Sequence, residues 1–179
     1  MSPEWLTAIG TVGTFLVIAA SAIAALLQLR HMRSGNQIAA YNECREVMDS
    51  PEFRTALHFI RSVLSERLKD PQVCEEIVRS GLAEEYGGVR LVANLLENMG
   101  LFVRNGMMDE RIACGLWSGI ATTSWNSLLP LIREIRAQVD PGVWTNFEYL
   151  VVISRNYTRR HPGGDYPKGI ERLSLDEPV

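Results

Sequence analysis

Residues 5–29 read WLTAIGTVGTFLVIAASAIAALLQL, twenty-five positions without a charged side chain. Coiled as a helix rising about 1.5 Å per residue, they extend roughly 37 Å, more than the ~30 Å hydrocarbon core of a bilayer. Trp5, Leu6, Ile9, Val12, Phe15, Leu16, Val17, Ile18, Ile23, Leu26, Leu27 and Leu29 supply the apolar surface. Residues of this kind each favour insertion by about 0.3–0.6 kcal/mol near the bilayer centre, which outweighs the scattered Thr, Ser and Gly. Trp5 falls where an interfacial aromatic belongs. The stretch predicts a transmembrane anchor over residues 1–30.

Ala20-Ser21-Ala22 has the small-residue pattern of a cleavage site. A signal peptide needs a basic stretch ahead of its apolar run, however, and here the one charge before it is Glu4; the run is also longer than a usual signal core. The anchor is therefore expected to be retained. Arg30 and Arg33 follow it directly, with His31 between them. Positive charge stays on the cytoplasmic side, so the expectation is an N-terminus outside and the rest of the chain at the cytoplasmic face of the inner membrane. Gly10 with Thr14 and Ala20 with Ala24 form small-xxx-small pairs, which leave a homo-oligomer open.

Working outward, residues 31–49 read as a juxtamembrane helix with Ile38, Tyr41 and Met48 on one side, and Gly35-Asn36 as its weak point or hinge. Residues 50–160 read as a helical bundle. Ser50-Pro51-Glu52 has the order of an N-cap, an N1 proline and a first-turn acid, and Phe53, Leu57, Ile60, Leu64 and Leu68 form an apolar stripe behind it. Asp70-Pro71 repeats the start signal for a helix bearing Val73, Ile77 and Val78, ending near Gly81. Gly87-Gly88 is expected to break the chain before a helix with Val92, Leu95, Leu96, Met99 and Val103 on one face and Arg90, Asn94, Glu97 and Arg104 on the other. Asn105-Gly106 stops it, and Asp109 caps the next.

Residues 112–132 form a second run of twenty-one positions without formal charge. Ser118, Thr122, Thr123, Asn126 and Ser127 line one side of it, and Trp117, Ala121, Trp125, Leu128 and Ile132 the other. That division suits a core helix better than lipid, and a second crossing would carry Arg133 and Arg136 outside. Pro130 is expected to kink or interrupt this helix. Asp140-Pro141 is read as the start of the last one, with Trp144, Phe147, Val151 and Ser154 on its inner face. Residues 161–179, rich in Pro, Gly and mixed charge, read as a disordered tail. The predicted fold is all-α: one transmembrane helix, then a small bundle of about five to six helices.

Taken in this order the features resemble the prokaryotic domain-of-unknown-function family 4760. The resemblance is carried by the uncharged span, by Ser50-Pro51-Glu52-Phe53-Arg54, by Leu95-Leu96-Glu97-Asn98-Met99-Gly100-Leu101 with Arg104-Asn105-Gly106, and by Trp125 followed by Pro130, Ile132 and Arg136. It runs over about residues 5–157. It implies membrane-tethered helical proteins with no assigned activity. Ser34-Gly35-Asn36 departs from the continuous basic and polar helix that the resemblance implies after the span, which argues against a rigid stalk.

Composition narrows the functional classes. With 18 basic and 21 acidic residues the chain lacks the basic surplus that a phosphate backbone requires, so nucleic acid is not an expected partner. Cys44, Cys74 and Cys114 are odd in number and widely spaced, which speaks for reduced thiols rather than a disulfide framework. His31, His58 and His161 carry no metal-ligand spacing, so neither metal nor cofactor is expected. Gly87-Gly88 and Gly163-Gly164 lack the phosphate-loop pattern, and Ser118, Ser124 and Ser127 lack a nucleophile elbow.

The residues left to test are Glu97, on the polar face between Arg90 and Arg104 and read as a solvated charge or a tertiary ion pair with a general acid or base as the alternative, and Trp117 and Trp125, read as core with a partner-facing or ligand-lining role as the alternative. The expected function is a protein-interaction module or accessory subunit held at the cytoplasmic membrane face, its protein partner unknown. The alternative is a membrane-anchored enzyme whose site is assembled from dispersed residues.

Overall fold

The computed structural model describes residues 3–167 and 169–173, without the side chains of residues 4–9, 29–34 and 36. Helix α1 (Pro3–Asp49) runs unbroken for 47 residues. Its segment Gly10–Gln28 has a mean hydropathy of 2.1 and no residue buried against the rest of the chain. Among the described residues it is the one helix long and apolar enough to cross a membrane. Val12, Phe15, Leu16, Val17, Ile18, Ile23, Leu26 and Leu27 are exposed along it. The side chains of Trp5, Leu6, Ile9, Leu29, Arg30 and Arg33 lie outside what is described.

The helix passes unbroken through Gly35-Asn36, read above as its weak point or hinge. A mid-helix glycine costs about 1 kcal/mol against alanine, a small penalty within a helix of this length. Beyond it, Ala40, Cys44 and Met48 recur every four residues and are buried in the domain core, with Tyr41 and Val47 packed beside them. Ile38, expected on the same side, is 62% exposed. It lies two residues from Ala40 and so about 160° around the helix.

α2 (Pro51–Phe59) starts as its capping residues require, with Ser50 Oγ accepting from the Phe53 amide at 3.1 Å. It runs into a wide π turn, Ile60–Leu64, in which the Ser65 amide reaches back to Ile60, and then a single turn, α3 (Ser65–Arg67). Phe53, Ile60, Leu64 and Leu68 are all buried. α4 (Pro71–Arg79) is capped by Asp70, whose carboxylate accepts from the Gln72 amide at 2.9 Å.

Gly87-Gly88 does not break the chain. A 3-10 turn (Glu84–Tyr86) leads directly into α5 (Gly87–Arg104), which contains both glycines. The reason for Gly88 is proximity: a Cβ there would come within 2.9 Å of the Ala56 Cβ on α2. α5 ends at a left-handed Gly106, φ +68°, with the Met107 amide bonded back to Phe102.

α6 (Glu110–Gln138) is capped by Asp109 and continues through Pro130 for 29 residues. Of the kink or interruption expected at Pro130, whose ring removes one amide donor, the interruption does not occur. Trp117, Ala121, Trp125, Leu128, Ile132 and Ile135 are buried, so the uncharged run 112–132 is a core helix. α7 (Thr145–Arg160) begins four residues later than Asp140-Pro141 suggests. Those two residues form a turn instead, in which the Asp140 carboxylate accepts from the Gly142 amide at 2.8 Å. Residues 161–167 and 169–173 follow without a regular element.

The architecture is all-α. α7 packs against both α5 and α6, α2 covers α5, α4 covers α6, and the end of α1 packs on α2 and α5.

Candidate functional site

The joint between α5 and α7 carries the densest polar bonding of the predicted residues. Trp144 precedes α7 in a left-handed conformation, φ +53°, uncommon for a bulky residue. Three neighbours hold it there. Its indole N–H donates to Asn94 Oδ1 at 3.0 Å. Arg136 of α6 donates to the Val143 carbonyl at 2.9 and 3.0 Å and pairs with Glu148 at 2.7 Å. Glu97 completes the joint: one carboxylate oxygen accepts from the Phe147 amide and the other from Asn146 Nδ2, both at 2.7 Å.

Glu97 is thus neither a freely solvated charge nor, among the described residues, a member of a tertiary ion pair: its partners are neutral donors. It caps the first turn of α7 from another helix, where an acidic group satisfies an otherwise open amide and meets the positive end of the helix dipole. Arg90 bonds to the Leu82 carbonyl and Arg104 to Asn146 Oδ1. Gly100 sits one turn further along α5, where a Cβ would meet the Asn146 carbonyl oxygen at 1.9 Å. The two helices cross too closely for any side chain there.

Trp117 and Trp125 are buried, as the core reading holds. Trp117 stacks on Tyr41 of α1 at 5.5 Å between centroids, which fixes α1 to the domain. Trp125 meets Phe147 edge-on at 5.1 Å with Arg136 over its ring. Cys44, Cys74 and Cys114 are free and buried, and burial pushes their thiols up, Cys44 to about 11. Neutral thiols at physiological pH are poor nucleophiles. His58 is exposed on α2, and His161 packs against Tyr157. Among the described residues no three His, Cys, Asp or Glu side chains gather as metal ligands would.

A groove of about 970 Å³ lies between α6 and α7. Ser118, Thr122 and Thr123 line it from α6, and Val152, Arg155 and Arg159 from α7. Sequence reasoning identified the hydroxyl-bearing side of α6 but did not pair it with α7. The available signal was the absence of any acid between Tyr149 and Arg160, together with two arginines four residues apart. Two smaller hollows, of about 440 and 400 Å³, flank Tyr41 where α1 meets α6.

Residues 15–153 match the family model described as Domain of unknown function (DUF4760). No curated protein matches the chain, and no solved structure does. The matched stretch takes in the apolar part of α1 from Phe15, the Glu97 cap, the Gly100 crossing and both core tryptophans, and the chain belongs to the DUF4760 family.

Proposed function

We propose that this chain is a membrane-anchored binding module: α1 spans the inner membrane with its N-terminus outside, and the helical domain presents a surface to a protein partner at the cytoplasmic face. One observation carries the reading. The helix that bears the exposed apolar segment Gly10–Gln28 also supplies Ala40, Cys44 and Met48 to the domain core. An anchor continuous with the core holds the domain at a set distance from the bilayer, about 18 Å of helix separating Gln28 from Ala40. Confinement to a surface raises the effective concentration for partners in the same membrane, which favours a binder of modest intrinsic affinity. Arg30 and Arg33 after the span, against Glu4 before it, support the orientation.

Topology reporters test it. A reporter active only in the cytoplasm, fused after Val179, is expected to be active, and one active only outside it to be silent. The reverse pattern would overturn the orientation. Leu16→Arg with Ile18→Arg is expected to release the chain from membranes, since each arginine costs about 2.5–3.5 kcal/mol at mid-span.

A further inference from the structure

On the face shared by α6 and α7 the charge balance of the chain is reversed. The whole sequence has three more acids than bases. Residues 112–132 of α6 carry no charge at all, and residues 149–160 of α7 carry Arg155, Arg159 and Arg160 with no acid. Arg160 is already satisfied by Glu110 at 3.1 Å. Arg155 and Arg159 are not: they donate to the side-chain oxygens of Asn126 and Asn156. A third guanidinium, Arg61 from the π turn, reaches across to Thr123 Oγ1 in the groove lining.

Neutral oxygens orient a guanidinium without compensating its charge. Each guanidinium also has five N–H donors, more than these bonds use. Burial pushes Arg61 below its ordinary value, with no carboxylate opposing that effect. Among the described residues no ion pair joins any of the three. No Asp or Glu belongs to the groove lining.

The shape selects among anions. Arg155 and Arg159 are one helical turn apart, about 6 Å between their Cβ atoms, and line an open groove, while Arg61, outside the lining, reaches its edge at Thr123 from a different element. A single phosphate or carboxylate can bridge two such guanidiniums but leaves the apolar part of the lining uncovered. A helix with carboxylates at i and i+4 meets the pair in register. Val152, half exposed between the helices, offers that ligand an apolar contact. We infer that the α6–α7 groove is a docking site for an acidic amphipathic helix of a partner protein. This deepens the binding-module reading and rests on it.

The test uses the full chain in nanodiscs of zwitterionic lipid. The probe is a fluorescent synthetic helix with glutamates at i, i+4 and i+7 and leucines on the adjoining stripe; a lysine counterpart, inorganic phosphate and vesicles of anionic lipid serve as comparisons. Saturable binding of the glutamate helix is expected, weakening with salt and becoming about tenfold weaker in Arg155→Gln with Arg159→Gln, the loss of two exposed ion pairs. Both positions are exposed, so the melting temperature should not move. Reversal to Arg155→Glu with Arg159→Glu is expected to transfer preference to the lysine helix, which an unfolded domain would not do. Absence of binding, binding indifferent to these variants, or competition by phosphate or anionic vesicles in place of the peptide would each overturn the proposal. Carbonate extraction of membranes that hold the same chains reports on the anchor alone, so a failed groove is distinguishable from a failed module.

Discussion

Glu97 stands on the polar side of α5 by spacing, and spacing alone makes it an ordinary surface charge. In three dimensions its carboxylate takes the Phe147 amide and the Asn146 side chain, fifty and forty-nine residues on. Glu97→Ala is expected to destabilise the domain by about 1–2 kcal/mol, the usual loss for a charge-assisted helix cap, read as a fall of several degrees in melting temperature. Glu97→Gln, which keeps one acceptor, should lose less. An unchanged melting temperature for the alanine variant would show that α7 does not rest on this contact. Local capping was legible because its partners are two or three residues apart: Ser50, Asp70 and Asp109 each bond the amide their spacing implies. The Glu97 cap was not, because both partners come from a segment whose approach the sequence does not encode locally. Gly100 is the same case, a small residue explained by Asn146 across the crossing.

At the scale of elements, apolar periodicity identified the buried faces of α2, α5 and α6, and the absence of charge over 112–132 was correctly divided between a core side and a hydroxyl side. Breakers misled. Gly35 and Pro130 lie inside helices and Gly87-Gly88 opens one, since tertiary packing and helix length outweigh propensities of about 1–3 kcal/mol. The π turn at Ile60–Leu64 left no mark in the spacing of its apolar residues. The groove escaped because its two sides lie on different helices, each unremarkable alone. The domain also reaches back past Ser50: Ala40, Cys44 and Met48 are core, and Tyr41 covers Trp117. A fragment of residues 37–160 is therefore expected to be soluble without detergent and to melt well above a fragment of residues 50–160. The shorter piece loses several buried side chains at about 1–5 kcal/mol each. Equal melting temperatures would show that the end of α1 contributes nothing to the core.

For the whole molecule, what matters is that the apolar segment and the domain share one helix. The chain has a segment suited to lipid, Gly10–Gln28, and a domain core that begins within the same α1, with no break between them. The most direct measurement of that claim is extraction of the full chain from membranes with alkaline carbonate, followed by high salt. The account predicts that the chain stays in the membrane pellet through both and leaves it only with detergent, while Leu16→Arg with Ile18→Arg appears in the supernatant with its domain folded. Recovery of the unaltered chain in the carbonate supernatant would contradict it.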